Sequence, residues 1–241
     1  MPMAHHTHAS RRVAAVVGIA SALAVVLAVP RAFARDQERP VVPPEVNVFG
    51  RTYGEWSATW WQWLLAIPAP TNPTLDPTGQ HCDVGQSDLL FFLAGAPTSD
   101  AVTRECTVPS GRRVLVPIIT AECSTVEPAP FHGDHERELR ACAKTLIDGV
   151  QVSSVKATLD GKAIEKLRHV RVQSPFFEFI MPGQDNVLGL PGVTAGSSVA
   201  DGYWLILEPL APGDHVLHFE GYCQIKRVSY PVSAQCGILT A

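Results

Sequence analysis

The chain has 241 residues, 46% of them hydrophobic, with 19 Lys and Arg against 23 Asp and Glu, a formal charge of −4. That balance, with no basic cluster longer than Arg112-Arg113, repels phosphate backbones and excludes nucleic acid as an expected partner. The length allows one large domain or two small ones, with a core that needs no metal.

Residues 1–34 carry the parts of a secretory signal peptide. Arg11 and Arg12 form the basic start, 13–29 the apolar run, and Ala32-Phe33-Ala34 the small-x-small pattern that fits the shallow subsites of a signal peptidase. Cleavage after Ala34 leaves 207 residues; it removes three arginines and no acid, so 16 basic side chains face 23 acidic ones, a net charge of −7. No later stretch reaches membrane-spanning length, so a secreted or periplasmic protein with no transmembrane segment is expected. Residues 35–48 are polar and then proline-rich (Pro40, Pro43, Pro44) and read as an extended linker, with the folded domain over 49–241.

A helix is predicted over 53–66. Thr52 and Glu55 have capping-box spacing, and Pro68 ends the element. Trp56, Trp60, Trp63, Leu64 and Ile67 share one face; Glu55, Thr59 and Gln62 share the opposite one, with Trp61 and Leu65 on a flank. Strands are predicted over 89–93, 102–108 and 114–120, the last two joined across Pro109-Ser110-Gly111. A second helix is predicted over 135–148, with Asp134 as N-cap, Gly149 at its C-terminal end and a stripe of Leu139, Cys142, Ala143, Leu146, Ile147 and Val150. Further strands follow at 152–159, 169–173, 176–180, 203–207, 215–219, 224–232 and 235–240. Asp160-Gly161 signals a tight hairpin, and 182–202 reads as a glycine-rich loop. Short strands without a βαβ rhythm predict a mainly β, β-sandwich-like antiparallel domain with two added α-helices.

Six cysteines (Cys82, Cys106, Cys123, Cys142, Cys223, Cys236) follow the signal, which in an oxidising compartment reads as three disulfides with fifteen connectivities open. Cys142, on the buried face of its helix, is a natural partner for Cys123.

The opening Gly54-Glu55-Trp56-Ser57-Ala58-Thr59-Trp60-Trp61-Gln62-Trp63 resembles that of a family of exported bacterial proteins of uncharacterised function. The likeness continues through Cys82, Gln86, Phe92-Leu93-Ala94-Gly95, Cys106-Thr107-Val108-Pro109, Pro117-Ile118 and Glu122-Cys123-Ser124. It returns at Ser174-Pro175-Phe176 and Ala200-Asp201-Gly202-Tyr203-Trp204. The resemblance implies export, and Cys82 with Cys106 as one disulfide unit; it carries no activity. Pairing within compact units gives Cys82–Cys106, Cys123–Cys142 and Cys223–Cys236.

Flat indole faces stack on sugar rings. Trp56, Trp60 and Trp63 read as core, whereas Trp61, off the stripe with Glu55 and Gln62 on neighbouring faces, is the expected lining of a ligand groove. His132 and His135 lie near Asp134 and Glu136, but Leu139 breaks an H-E-x-x-H pattern, and they read as a solvated loop at a helix cap. His215 and His218, three apart on a predicted strand, fall on opposite faces. No G-x-S-x-G is present, and no catalytic residue, metal site or cofactor is expected. Glu55, Glu122, Glu127 and Asp201 are the acids available to a two-carboxylate hydrolase. The expected function is therefore an exported, non-catalytic envelope or extracellular protein that binds glycan or another small ligand. The alternatives are a secreted hydrolase of polysaccharide or cell wall, and a structural, self-associating surface protein.

Overall fold

The computed structural model describes residues 40–97 and 101–222 and the backbone of 235–240. The signal segment 1–34, the first residues of the linker, the strand expected at 224–232, Cys223 and the side chain of Cys236 lie outside the described residues.

The described residues are mainly β with two α-helices, α1 (Tyr53–Ala66) and α2 (Glu136–Asp148). The capping box of α1 forms: the Thr52 hydroxyl accepts from the Glu55 amide at 3.2 Å, and the Glu55 carboxylate accepts from the Thr52 amide at 2.7 Å. The N-cap of α2 is His135 rather than Asp134, its ring nitrogen accepting from the Glu138 amide at 3.4 Å. Asp134 instead donates its own amide to the Glu138 carboxylate.

Among the described residues, ten strands form two sheets: β1 (Leu90–Phe92), β2 (Ala101–Thr103), β3 (Arg113–Ser124), β4 (Lys156–Leu159), β5 (Lys162–Ala163), β6 (Arg171–Gln173), β7 (Phe177–Ile180), β8 (Ala195–Leu207), β9 (Leu217–Tyr222) and β10 (Gln235–Thr240). One sheet has the order β1-β3-β8-β6, with β7 also on β8; the other runs β2-β10-β9-β4-β5. Most pairs are antiparallel, but β1–β3 and β2–β10 are parallel, so both sheets are mixed. Asp160 and Gly161 make the expected tight turn between β4 and β5, with φ of 52° and 74°.

Sequence readings also change within the sheets. The segments joined by Pro109-Ser110-Gly111 do not pair with each other, since β2 belongs to the second sheet and β3 to the first. The glycine-rich stretch, read as a loop, contributes the first half of the 13-residue β8. Its glycine at 202 is there for close approach: a Cβ would lie 2.7 Å from the Ile119 carbonyl oxygen of the neighbouring strand.

The central ladder is β3–β8, running from Val114↔Leu207 to Ser124↔Ser198. On one side Val114, Val116, Leu205 and Leu207 pack with Ala157, Leu159, Leu217 and Phe219, so the two sheets share one apolar core. On the other, Leu115, Trp204 and Ile206 meet Trp56, Trp60 and Trp63 of α1. The far half of the ladder carries α2, with Leu139, Ala143 and Leu146 against Cys123 and Val199. Residues 40–48, read from the sequence as linker, lie along this body. Val41 bridges Leu207, Val42 and Val48 are buried, and the Tyr53 hydroxyl donates to the Val42 carbonyl while accepting from the Ile206 amide. Their prolines prevent a continuous ladder without preventing these alternate bonds.

Cys82–Cys106 and Cys123–Cys142 are disulfide-bonded, with Cα atoms 5.6 Å and 6.1 Å apart. No described helix is long and apolar enough to cross a membrane.

Candidate functional site

All four tryptophans of α1 satisfy their indole N–H groups, as partly or fully buried donors must. Trp56 donates to the Val48 carbonyl at 2.8 Å, Trp60 to Leu93 at 2.7 Å and Trp63 to Val84 at 2.9 Å. These three are buried core, as the stripe requires. Trp61 differs: it is half-buried, edge-on to Trp60 at 5.1 Å, and donates 3.2 Å to the Thr120 hydroxyl on β3. Thr120 passes its own hydroxyl hydrogen to the Asp201 carbonyl.

An irregularity in β3 aims Thr120 at the helix. The register with β8 shifts between Pro117 and Ile119. Proline has no N–H for the ladder, so a bulge is where it is tolerated within a strand. Before the shift the odd residue Leu115 faces α1; after it the even residues Thr120 and Glu122 do. Without the extra residue, these two polar side chains would fall on the face shared by the sheets.

Trp61, Thr120 and Glu122 line a cavity of about 300 Å³, with Glu127 and Phe131 from the segment after β3 and Leu188 from the loop before β8. Another wall comes from Thr74 and Gly95, held by the buried Arg104, whose guanidinium donates to the carbonyls of Thr74 at 3.0 Å and Ala94 at 2.8 Å. Glu122 is 5% exposed. It accepts a hydrogen bond from the Ser198 hydroxyl, and its carboxyl is hydrogen-bonded to that of Glu127. Burial and the adjacent Glu127 hold the Glu122 carboxyl well above the usual glutamate range, against the smaller opposing effect of Ser198. The Glu127 carboxylate also accepts from the Ser124 hydroxyl at 2.9 Å. Two carboxyls in contact share one proton, which leaves one neutral donor and one anion.

The three residues expected to line one groove are not brought together. Glu55 is spent on the helix cap. Gln62 lines a larger, open groove of about 980 Å³ on another flank of α1, with Trp63, Glu178 and Ile180, and its amide is committed to the Glu178 carbonyl at 2.7 Å. Only Trp61 reaches the smaller, chemically richer recess. His132 bonds Asp134 on the surface, and His215 bonds Asp160 at 2.8 Å, just before β9. Asp201 is held by Arg171 at 2.9 Å, far from a free acid.

Glu122 and Glu127 appear in the sequence only as two acids among many, and Thr120, Ser198 and Phe131 carry no motif. The one local signal is Pro117 inside an apolar β-run, which marks a bulge and hence a change of face. Compared with known proteins, the chain matches no family model, no curated protein and no solved structure.

Proposed function

We propose that the chain is an exported, non-catalytic binding protein, secreted or periplasmic, whose sandwich-like domain seats a sugar residue of a glycan, or another small molecule, in the Trp61 cavity. The observation that carries this reading is the presence of an accessible indole and two carboxyls on the walls of one recess of about 300 Å³. An indole surface holds the apolar face of a sugar ring, and carboxyl oxygens accept its hydroxyls. The volume falls at the small end of ligand sites, which run from about 300 to 1,000 Å³. Export rests on the 1–34 signal pattern, the resemblance to exported bacterial proteins, and disulfides of a kind that persist in oxidising compartments.

Paired tryptophan variants test it. Trp60→Ala removes a fully packed indole and is expected to cost about 3–5 kcal/mol of stability. Trp61→Ala is expected to melt near the parent and to lose the glycan-array signal. A Trp61→Ala variant as unstable as Trp60→Ala would make this indole core and remove the site.

A second reading, hydrolysis through two carboxylates, draws on the Glu122–Glu127 contact. Carboxyls in hydrogen-bond contact are closer than the roughly 5 Å of retaining glycosidases or the wider spacing of inverting ones. The pair therefore suits proton sharing and ligand binding better than glycoside cleavage.

A further inference from the structure

The charge of the cavity narrows its ligand, granted the binding reading above. Among the described residues, Glu122 and Glu127 are the only ionisable side chains that line it, with no Lys, Arg or His beside them. Apart from the Thr74 and Thr120 hydroxyls, both bonded to backbone carbonyls, the remaining walls are aromatic, aliphatic or backbone, from residues such as Trp60, Trp61, Phe131, Ile119 and Leu188. A neutral sugar entering this space would leave the anion of the pair without a counter-charge in a partly dehydrated pocket, which is costly. A ligand with its own positive charge removes that cost, and its cationic end also gains from indole and phenyl faces.

The geometry assigns the two acids different parts. Glu122, 5% exposed and buried beside Glu127, is the member that keeps the shared proton, even though the hydroxyl hydrogen it takes from Ser198 favours its anion. Glu127 is half-buried, on a segment open to solvent, with the Ser124 hydroxyl donating to it; it is the member that an entering ligand reaches.

We propose that the Trp61 cavity takes a sugar ring bearing a protonated amine, with the ring against the Trp61 indole and the ammonium against the Glu127 carboxylate. Thr120, whose hydroxyl is already shared between Trp61 and the Asp201 carbonyl, fixes the indole rather than touching the ligand.

Tryptophan fluorescence titrations with three probes of equal length test this: a β-1,4-linked glucosamine trimer, its N-acetylated form and cellotriose. The amine trimer is expected to bind at least about tenfold more tightly than the other two. Glu127→Gln is expected to level the three affinities with an unchanged melting curve, whereas Glu122→Gln, which replaces a protonated carboxyl by a neutral amide, keeps the preference. Equal affinities in the parent protein would overturn the charged-ligand assignment while leaving glycan binding intact. Binding of propylamine as tight as that of the amine trimer would overturn the sugar-ring part. Binding of none of the four probes would remove both this assignment and the function it rests on.

Discussion

Burial of the Glu122 carboxyl against Glu127 gives the fold a pH dependence with a definite sign. Its folded value lies above the ordinary 4.5. Between those two values the unfolded chain releases a proton that the folded chain retains, so stability falls as pH rises through this window and then levels off. Glu122→Gln is expected to abolish this part of the slope and to make the protein more stable than the parent at neutral pH. Urea midpoints measured across the window for both proteins decide it; parallel curves would mean that the carboxyl is solvated. The opposite dependence belongs to Asp76, whose carboxylate is held down to about 2. Burial pushes it up, but the His81 and Thr78 amides and the Thr78 hydroxyl together outweigh that. Its contribution, complete above the ordinary 3.8, is lost progressively as pH falls from there through that low value.

At the scale of the element, α1 was the most legible part of the sequence and β8 the least. The cap, the stop and the tryptophan stripe of α1 are local signals, and each is present in the structure. The N-terminal half of β8 has no such signal, because its residues are chosen by what lies beside them. Gly202 faces Thr120 across the ladder, and a Cβ there would also come within 2.7 Å of the Thr120 Cβ. Gly202→Ala is therefore expected to cost about 1–3 kcal/mol by forcing apart a pair of strands that cannot both shift. A thermal melt checks it, and an unchanged midpoint would show that the ladder yields at this point. The same non-local logic hid the candidate site. Trp61 was singled out by helical periodicity, but Glu122 meets it only because β3 changes face after Pro117, and strict alternation cannot anticipate an inserted residue. Gln62 and Glu55 were misplaced for a related reason: a helical wheel shows which side chains are neighbours on the helix, not which partners the rest of the chain brings to them.

Across the whole molecule, the two described disulfides tie local units, closing separations of 24 and 19 residues. The first joins the turn-rich segment after α1 to the stretch after β2, and the second pins α2 to the end of β3. Loops of this size are worth about 3 kcal/mol each in the chain-entropy account. Unreduced peptide mapping is expected to return Cys82–Cys106 and Cys123–Cys142 as separate fragments, and reduction to lower the melting temperature clearly. A crossed pair such as Cys106–Cys123 would overturn the arrangement. The mainly β character was readable from short β-branched runs and turn residues. The sheet order was not, since parallel pairings such as β1–β3 depend on which distant strand fills an edge.

The central ladder also governs how the chain reaches this structure. Its paired residues lie between 74 and 93 positions apart, and neither described crosslink spans that gap. An oxidised but unfolded chain must therefore still close a long loop before β3 and β8 meet, and that step costs entropy before any contact repays it. Refolding with disulfides intact should be governed by this search. Substitutions along β3 or β8 would then slow folding, while equally destabilising ones in the disulfide-held loops would mainly speed unfolding.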